Sequence, residues 1–232
     1  MPVFSLSPAE AAAMELSLRI SLWSVVLSLP PGIASAYALS RGAFPGRRLL
    51  DGLIHLPLVL PPVVIGYLLL LAFGRRGIFG AFFYEHFGVS LAFQWKGAVL
   101  AAAVMAFPLM VRAIRLSFDA VDQGLENAAR TLGAGPLRVF FTVTLPLSVP
   151  GLITGAVLGF ARALGEFGAT IMFVSNIPGQ TQTLPLALYT FTQTPDGEGP
   201  AMRLCIIAII IAMAALVCSD VLARRFARCL GG

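Results

Sequence analysis

Apolar stretches of about twenty residues recur along this chain, and the polar connections between them are too short to fold as domains of their own. A helix of about 20 apolar residues is long enough to cross a hydrocarbon core about 30 Å thick. Composition agrees, since 58% of the residues are hydrophobic and 12% charged, where a soluble domain carries about 25% charged residues. The expectation is an all-α polytopic membrane bundle, with residues 1–232 forming one transmembrane domain.

Five spans are expected, over 20–39, 53–73, 97–118, 149–174 and 204–223. Pro30-Pro31-Gly32 should bend the first, and Pro57, Pro61 and Pro62 interrupt the second. Arg112 and Arg115 should cut the third short, their long stems reaching back to the interface. A further segment, IFGAFFYEHFGVSLAFQW at 78–95, carries Glu85-His86 at its centre and reads as a short helix lying at the interface, with a buried re-entrant piece as the alternative. Ala34-Ser35-Ala36 imitates a signal-cleavage site, but the positive charges follow the apolar stretch instead of preceding it, which fits a retained helix.

Orientation follows from the basic residues. With the N-terminus outside, the inner segments hold ten: Arg41, Arg47, Arg48, Arg112, Arg115, Arg130, Arg138, Arg224, Arg225 and Arg228. The outer segments hold five: Arg19, Arg75, Arg76, Lys96 and Arg203. Residues 119–148 therefore face the cytoplasm, as does the C-terminus.

Within that loop Asp122 is a plausible N-cap, and Leu125, Ala128, Ala129 and Leu132 follow the i, i+3, i+4, i+7 spacing of one apolar face. Glu126 and Arg130 stand at i, i+4, so a pair is expected on the exposed side. Gly133 should end the helix and Pro136 open another, which places Leu137, Phe140 and Phe141 for packing and stops at Pro146. The apolar face of the short helix must be covered, either by the chain's own span ends or by another protein.

The segment ENAARTLGAGPLRVFFTVTLP (126–146) resembles the EAA loop of ATP-binding-cassette (ABC) importer permeases, with Ala128-Ala129 at the alanines, Gly133 at the glycine and Val143-Thr144-Leu145-Pro146 at the end. Asn127 occupies the usual glutamate position, and Glu126 lies one residue earlier. DGLIHLPLVLPPVVIGYLLLLAFGRRG (51–77), FPLMVRAIRLSFDAVD (107–122) and GEFGATIMFVSNIPG (165–179) are similar to the molybdate, sulfate and tungstate branch, nearest to molybdate. The resemblance implies a homodimer in the inner membrane, two cytoplasmic ATPase subunits bound to the loops, and an outer molybdate-binding protein delivering the oxyanion. It implies ATPase-coupling roles for Glu126, Ala128, Ala129, Gly133, Ala134, Phe140, Leu145 and Pro146. No catalytic residue, metal ligand or cofactor is implied in this chain; ATP and Mg would be bound by the partner, since no G-x-x-x-x-G-K-[ST] loop occurs.

Arg162 and Glu166 are an oppositely charged i, i+4 pair deep in the fourth span, where either alone would be costly. They read as a structural clamp or as part of a pathway or gate, and Thr170 and Ser175 are further pathway candidates through their hydroxyls. His55 reads as a packed or interfacial histidine. Cys205, Cys218 and Cys229 show no metal or disulfide spacing. The net charge of +5 is spread over membrane-flanking loops, so lipid and not nucleic acid is its expected partner. The competing classes, a stand-alone channel or an ion-coupled transporter, would call for inverted repeats or several mid-membrane carboxylates. A membrane enzyme would need a nucleophile–base or metal cluster. Tungstate, sulfate or thiosulfate carried by the same machinery is the alternative to molybdate.

Overall fold

The computed structural model describes residues 6–230, without the side chains of 223, 224 and 226–230. Every regular element in it is helical: α1 (Pro8–Arg41), α2 (Arg47–Val59), α3 (Pro62–Phe73), α4 (Ile78–Phe87), α5 (Trp95–Ala120), α6 (Gln123–Thr131), α7 (Pro136–Val139), a π-helical turn (Phe140–Thr144), α8 (Leu145–Leu147), α9 (Val149–Leu164), α10 (Gly168–Val174), α11 (Leu184–Thr192) and α12 (Glu198–Leu230).

The first helix starts at Pro8, well before Ile20, because Ser7 and Glu10 cap it reciprocally. Glu10 N donates to Ser7 Oγ at 3.3 Å and Ser7 N donates to Glu10 Oε2 at 2.6 Å, with Pro8 in the first turn. It runs on as one helix through Pro30 and Pro31, which face outward. Its buried stripe includes four serines, Ser17, Ser21, Ser24 and Ser28. The hydroxyls of Ser17, Ser21 and Ser24 are hydrogen-bonded within the bundle, as where Ser24 Oγ reaches both Ile20 O and, on α5, Val99 O at 3.0 Å. Small side chains on both partners, with Ala98, Ala101, Ala102 and Ala106 on α5, let α1 and α5 pack closely side by side in a parallel sense. The two arginines do not shorten α5, which continues to Ala120; Arg115 is neutralised by Asp51 of α2 at 3.1 Å.

The expected second span is two helices whose axes differ by 114°. A residue preceding proline is pushed out of the helical region, and in Leu60-Pro61-Pro62 two successive residues carry that restriction. Both are extended, with ψ of 144° at Leu60 and 135° at Pro61. Pro57, by contrast, sits inside α2 without ending it. Beyond the bend α3 lies against α10, where Gly66 meets backbone directly: a Cβ there would stand 2.6 Å from Ala169 O.

The fourth apolar run is also divided, with α9 ending at Leu164 and α10 starting at Gly168. On the other side of Ser148 the chain is helical from Pro136 to Leu147, at 69° to α9. Pro146 does not stop that helix; it lies within the helical run just after the π-helical turn, and the change of direction falls at Ser148. Among the described residues three helices, α1, α5 and α12, are long and apolar enough to cross a membrane alone, and the two bent pairs raise the number to five if each counts as one.

One end of the bundle gathers the ends of α1 and α5 with α6 and the start of α9, through Ser40–Asp119, Ser117–Ser148 and Arg41–Glu126. The opposite end joins the starts of α1 and α12 through Glu10–Arg203 at 3.0 Å, and α11 to α1 where Leu184 N donates to Ser17 Oγ. Segment 78–95 is α4 followed by a loop that leads into α5, with Phe79 and Phe83 stacked on Phe73. Cys205 and Cys218 are free on the exposed side of α12, whereas the side chains of Arg224, Arg228 and Cys229 lie outside the described residues.

Candidate functional site

The loop at the first of these ends is built by local capping. Asp122 Oδ1 accepts from Gly124 N at 2.8 Å and starts α6. Gly133, at φ +86°, closes it in the left-handed region that glycine enters without a Cβ penalty, and Pro136 opens α7. This knuckle turns apolar side chains to the outside: Leu125 is half exposed, Leu132 is 89% exposed, and Leu137 and Phe141 are exposed as well. Ala128 is exposed, with Ala129 and Ala134 half-buried behind it.

Glu126 does the opposite of what its spacing suggests. It is the buried residue of α6, 2% exposed. Its Oε1 accepts from Arg41 Nε at 3.2 Å, Arg41 Nη2 at 3.1 Å and Thr144 Oγ1 at 2.8 Å, while Arg130 Nη2 stands 3.5 Å from Oε2. The expected surface pair with Arg130 is therefore one side of a buried junction. The outward place is taken by Asn127, whose Oδ1 accepts from Arg130 Nη1 at 3.0 Å. A step of one residue turns a helical side chain by about 100°, which is why Glu126 points inward while its neighbour does not.

Beside this junction Phe140 packs as expected, its ring 4.7 Å from Tyr37 and 6.2 Å from Phe118. Leu145 joins the core of Met110, Ile114 and Phe118, and Pro146 is half-buried next to it. Leu137 stays at the surface, and Phe141, also exposed, meets Phe140 edge-on, its ring centroid 5.0 Å away. Two participants had no signal of their own in the sequence. Arg41 counted only as a flanking charge and Thr144 only as part of a family pattern; a carboxylate inside the loop in need of a cation was the available clue.

Deeper in the bundle, Arg162 Nη1 lies 2.5 Å from Glu166 Oε2. The two do not share a continuous helix, because α9 has already ended. Glu166 sits in the break, 3% exposed, and its Oε1 accepts from Ala169 N at 2.8 Å at the start of α10. Its carboxylate thus meets both a guanidinium and the Ala169 amide at the start of α10. Thr170 is buried in α10. Ser175 follows at its end with φ +66° and ψ −167°, a conformation that non-glycine residues rarely adopt. None of these four residues lines the large cavity of about 810 Å³ bounded by α1, α2, α5 and the ends of α3 and α4, whose walls include Trp23, Pro57, Phe73, Phe83, Trp95 and Phe107. His55 Nδ1 is 2.8 Å from its own helix's Asp51 O. Among the described residues no group of His, Cys, Asp and Glu is placed to hold a metal ion.

This arrangement of helices is that of the transmembrane domain of ABC importers. A bacterial ABC transporter that imports the acidic polysaccharide alginate superposes with a TM-score of 0.75 at 16% identity, covering 95% of this chain and 80% of that one. The MetNI methionine ABC transporter gives 0.67 at 16% identity, with 94% of each chain covered.

The chain belongs to the family described as binding-protein-dependent transport system inner membrane component, matched over residues 28–230, and is a multi-pass inner-membrane permease subunit. It is 63% identical over 219 residues to the molybdenum transport system permease protein ModB of Escherichia coli (strain K12), covering 94% of this chain and 96% of that protein. It is 58% identical over 222 residues to ModB of Haemophilus influenzae, covering 96% and 97%. A putative molybdenum transport system permease protein, YvgM of Bacillus subtilis, is 38% identical over 216 residues, covering 90% and 95%.

Proposed function

We propose that this chain is the translocation subunit of an ATP-driven importer of molybdate. The observation that carries the reading is the 63% identity to a molybdenum permease across almost the whole length of both proteins. A probable sulfate permease is related at 33% identity, a more distant match. The chain works as a homodimer that receives molybdate from a binding protein on the outer side and is driven by two ATPase subunits on the inner side. It crosses the membrane five times, with the α6 end in the cytoplasm and the N-terminus outside, in keeping with the ten basic residues against five counted above.

The exposed knuckle supports a docking role. Ala128, Ala129, Gly133 and Ala134 form a low, small-residue surface that another protein can approach closely, flanked by the apolar Leu125 and Leu132. Phe140, Leu145 and Pro146 tie the following helical segment into the core, so that movement of the knuckle is carried into α9. Arg162, Glu166, Thr170 and Ser175 remain the pathway or gate candidates, grouped around the α9–α10 break where backbone irregularity is tolerated only inside protein or beside a cavity.

The test is uptake of radiolabelled molybdate, tungstate and sulfate in cells deleted for this chain and complemented with it. Restoration of molybdate uptake, with sulfate uptake unaffected, is the expected result. Restored sulfate uptake without molybdate would overturn the assignment of substrate.

A further inference from the structure

The buried carboxylate of α6 is in an unusual mechanical position. Every other residue of α6 is at least partly exposed, so Glu126 is the side chain that anchors this helix in the bundle. Its partners belong to different elements. Arg41 is the last residue of α1, and its Nη2 also donates to Val121 O at the end of α5, at 3.0 Å. Thr144 closes the π-helical turn that leads into α8 and α9, and is itself fully buried. A second layer repeats the linkage: Tyr37 and Arg41 stand one turn apart on α1, as do Phe140 and Thr144 on the turn. The rings of Tyr37, Phe118 and Phe140 pack against one another edge-on or tilted, one helical turn from the ionic contacts.

Resting on the proposed role of α6 as the ATPase-facing element, we infer that Arg41, Glu126 and Thr144 form a rigid joint that transmits displacement of α6 to α1, α5 and α9 together. Three properties suit the joint to this. A planar guanidinium donates in fixed directions, which a flexible ammonium does not reproduce. Charge-assisted hydrogen bonds are stronger than neutral ones, and their burial excludes the water that would let them slip. The π-turn, a geometry frequent at functional sites, occurs in the segment that presents Thr144 to the carboxylate. Glu126 is thus a positioning residue inside the permease, and the exposed face of α6 is left for the ATPase.

The experiment uses the whole transporter, permease with its ATPase and binding protein, in lipid vesicles. It reads ATPase co-purification, ATP hydrolysis and labelled molybdate taken up per ATP. Glu126→Gln is expected to keep the ATPase bound while uptake per ATP falls roughly tenfold, the scale of a lost charged hydrogen bond. The exchange Arg41→Glu with Glu126→Arg should recover part of the loss. Thr144→Ser should behave as the parent, and Thr144→Val should lose uptake several-fold; this mild pair decides the matter if Glu126→Gln does not insert. Parental uptake per ATP in Thr144→Val and Glu126→Gln would overturn the joint. So would loss of the ATPase in Glu126→Gln alone, which would place the carboxylate at the partner surface. A parent protein that takes up no molybdate would instead overturn the functional reading.

Discussion

The Arg162–Glu166 pair shows how a charge is kept inside a membrane domain. Glu166 is almost wholly buried and bound both by Arg162 and by the Ala169 amide of α10. Removing only the cation leaves a buried carboxylate uncompensated, and breaking such pairs costs about 3–5 kcal/mol, whereas replacing both partners by apolar groups is often close to neutral. Arg162→Met should therefore lower the thermal stability of the detergent-solubilised protein strongly. Arg162→Met with Glu166→Met should recover most of that loss in the same melting measurement. A double variant no more stable than the single would show that the cap on Ala169 N, and not charge balance, is what Glu166 chiefly supplies.

Among the elements, what the sequence made legible was what periodicity and capping encode. Asp122, Gly133 and Pro136 mark the bounds of α6 and the start of α7 where the structure has them, since each acts through its own backbone preference. The interruption of the 53–73 run is legible in Pro57, Pro61 and Pro62, but its angle is not, because apolar length says nothing of direction; the double restriction at Leu60 and Pro61 sets the 114° turn. The start of α1 was missed because its capping box lies in a polar stretch outside the apolar window. The inward turn of Glu126 was not legible either, since its partners come from residues far along the chain. Close helix contacts make a further prediction at this scale. Gly66→Val would drive a side chain into Ala169 O and Met172 Cβ, separate α3 from α10, and cost about 1–3 kcal/mol or more, read as a lower melting temperature. At the knuckle, Gly133→Pro cannot keep φ at +86°. It should abolish molybdate uptake and ATPase co-purification while the amount of protein in the membrane stays unchanged.

At the scale of the whole molecule, the bundle separates two tasks along its length. One end is tied by the Glu10–Arg203 pair and by α11 on α1, the middle holds the α9–α10 break, and the other end carries α6 with apolar side chains at the surface. Ala128 sits on that surface, among exposed apolar residues that the proposed partner would cover. Its position tests the account most directly. With Ala128→Cys as the reporter in a background lacking the native cysteines, a charged thiol reagent should label the permease from the cytoplasmic side, and an assembled ATPase should protect it. Labelling from the outer side, or labelling that the ATPase leaves unchanged, would contradict the claim that this knuckle receives the motor.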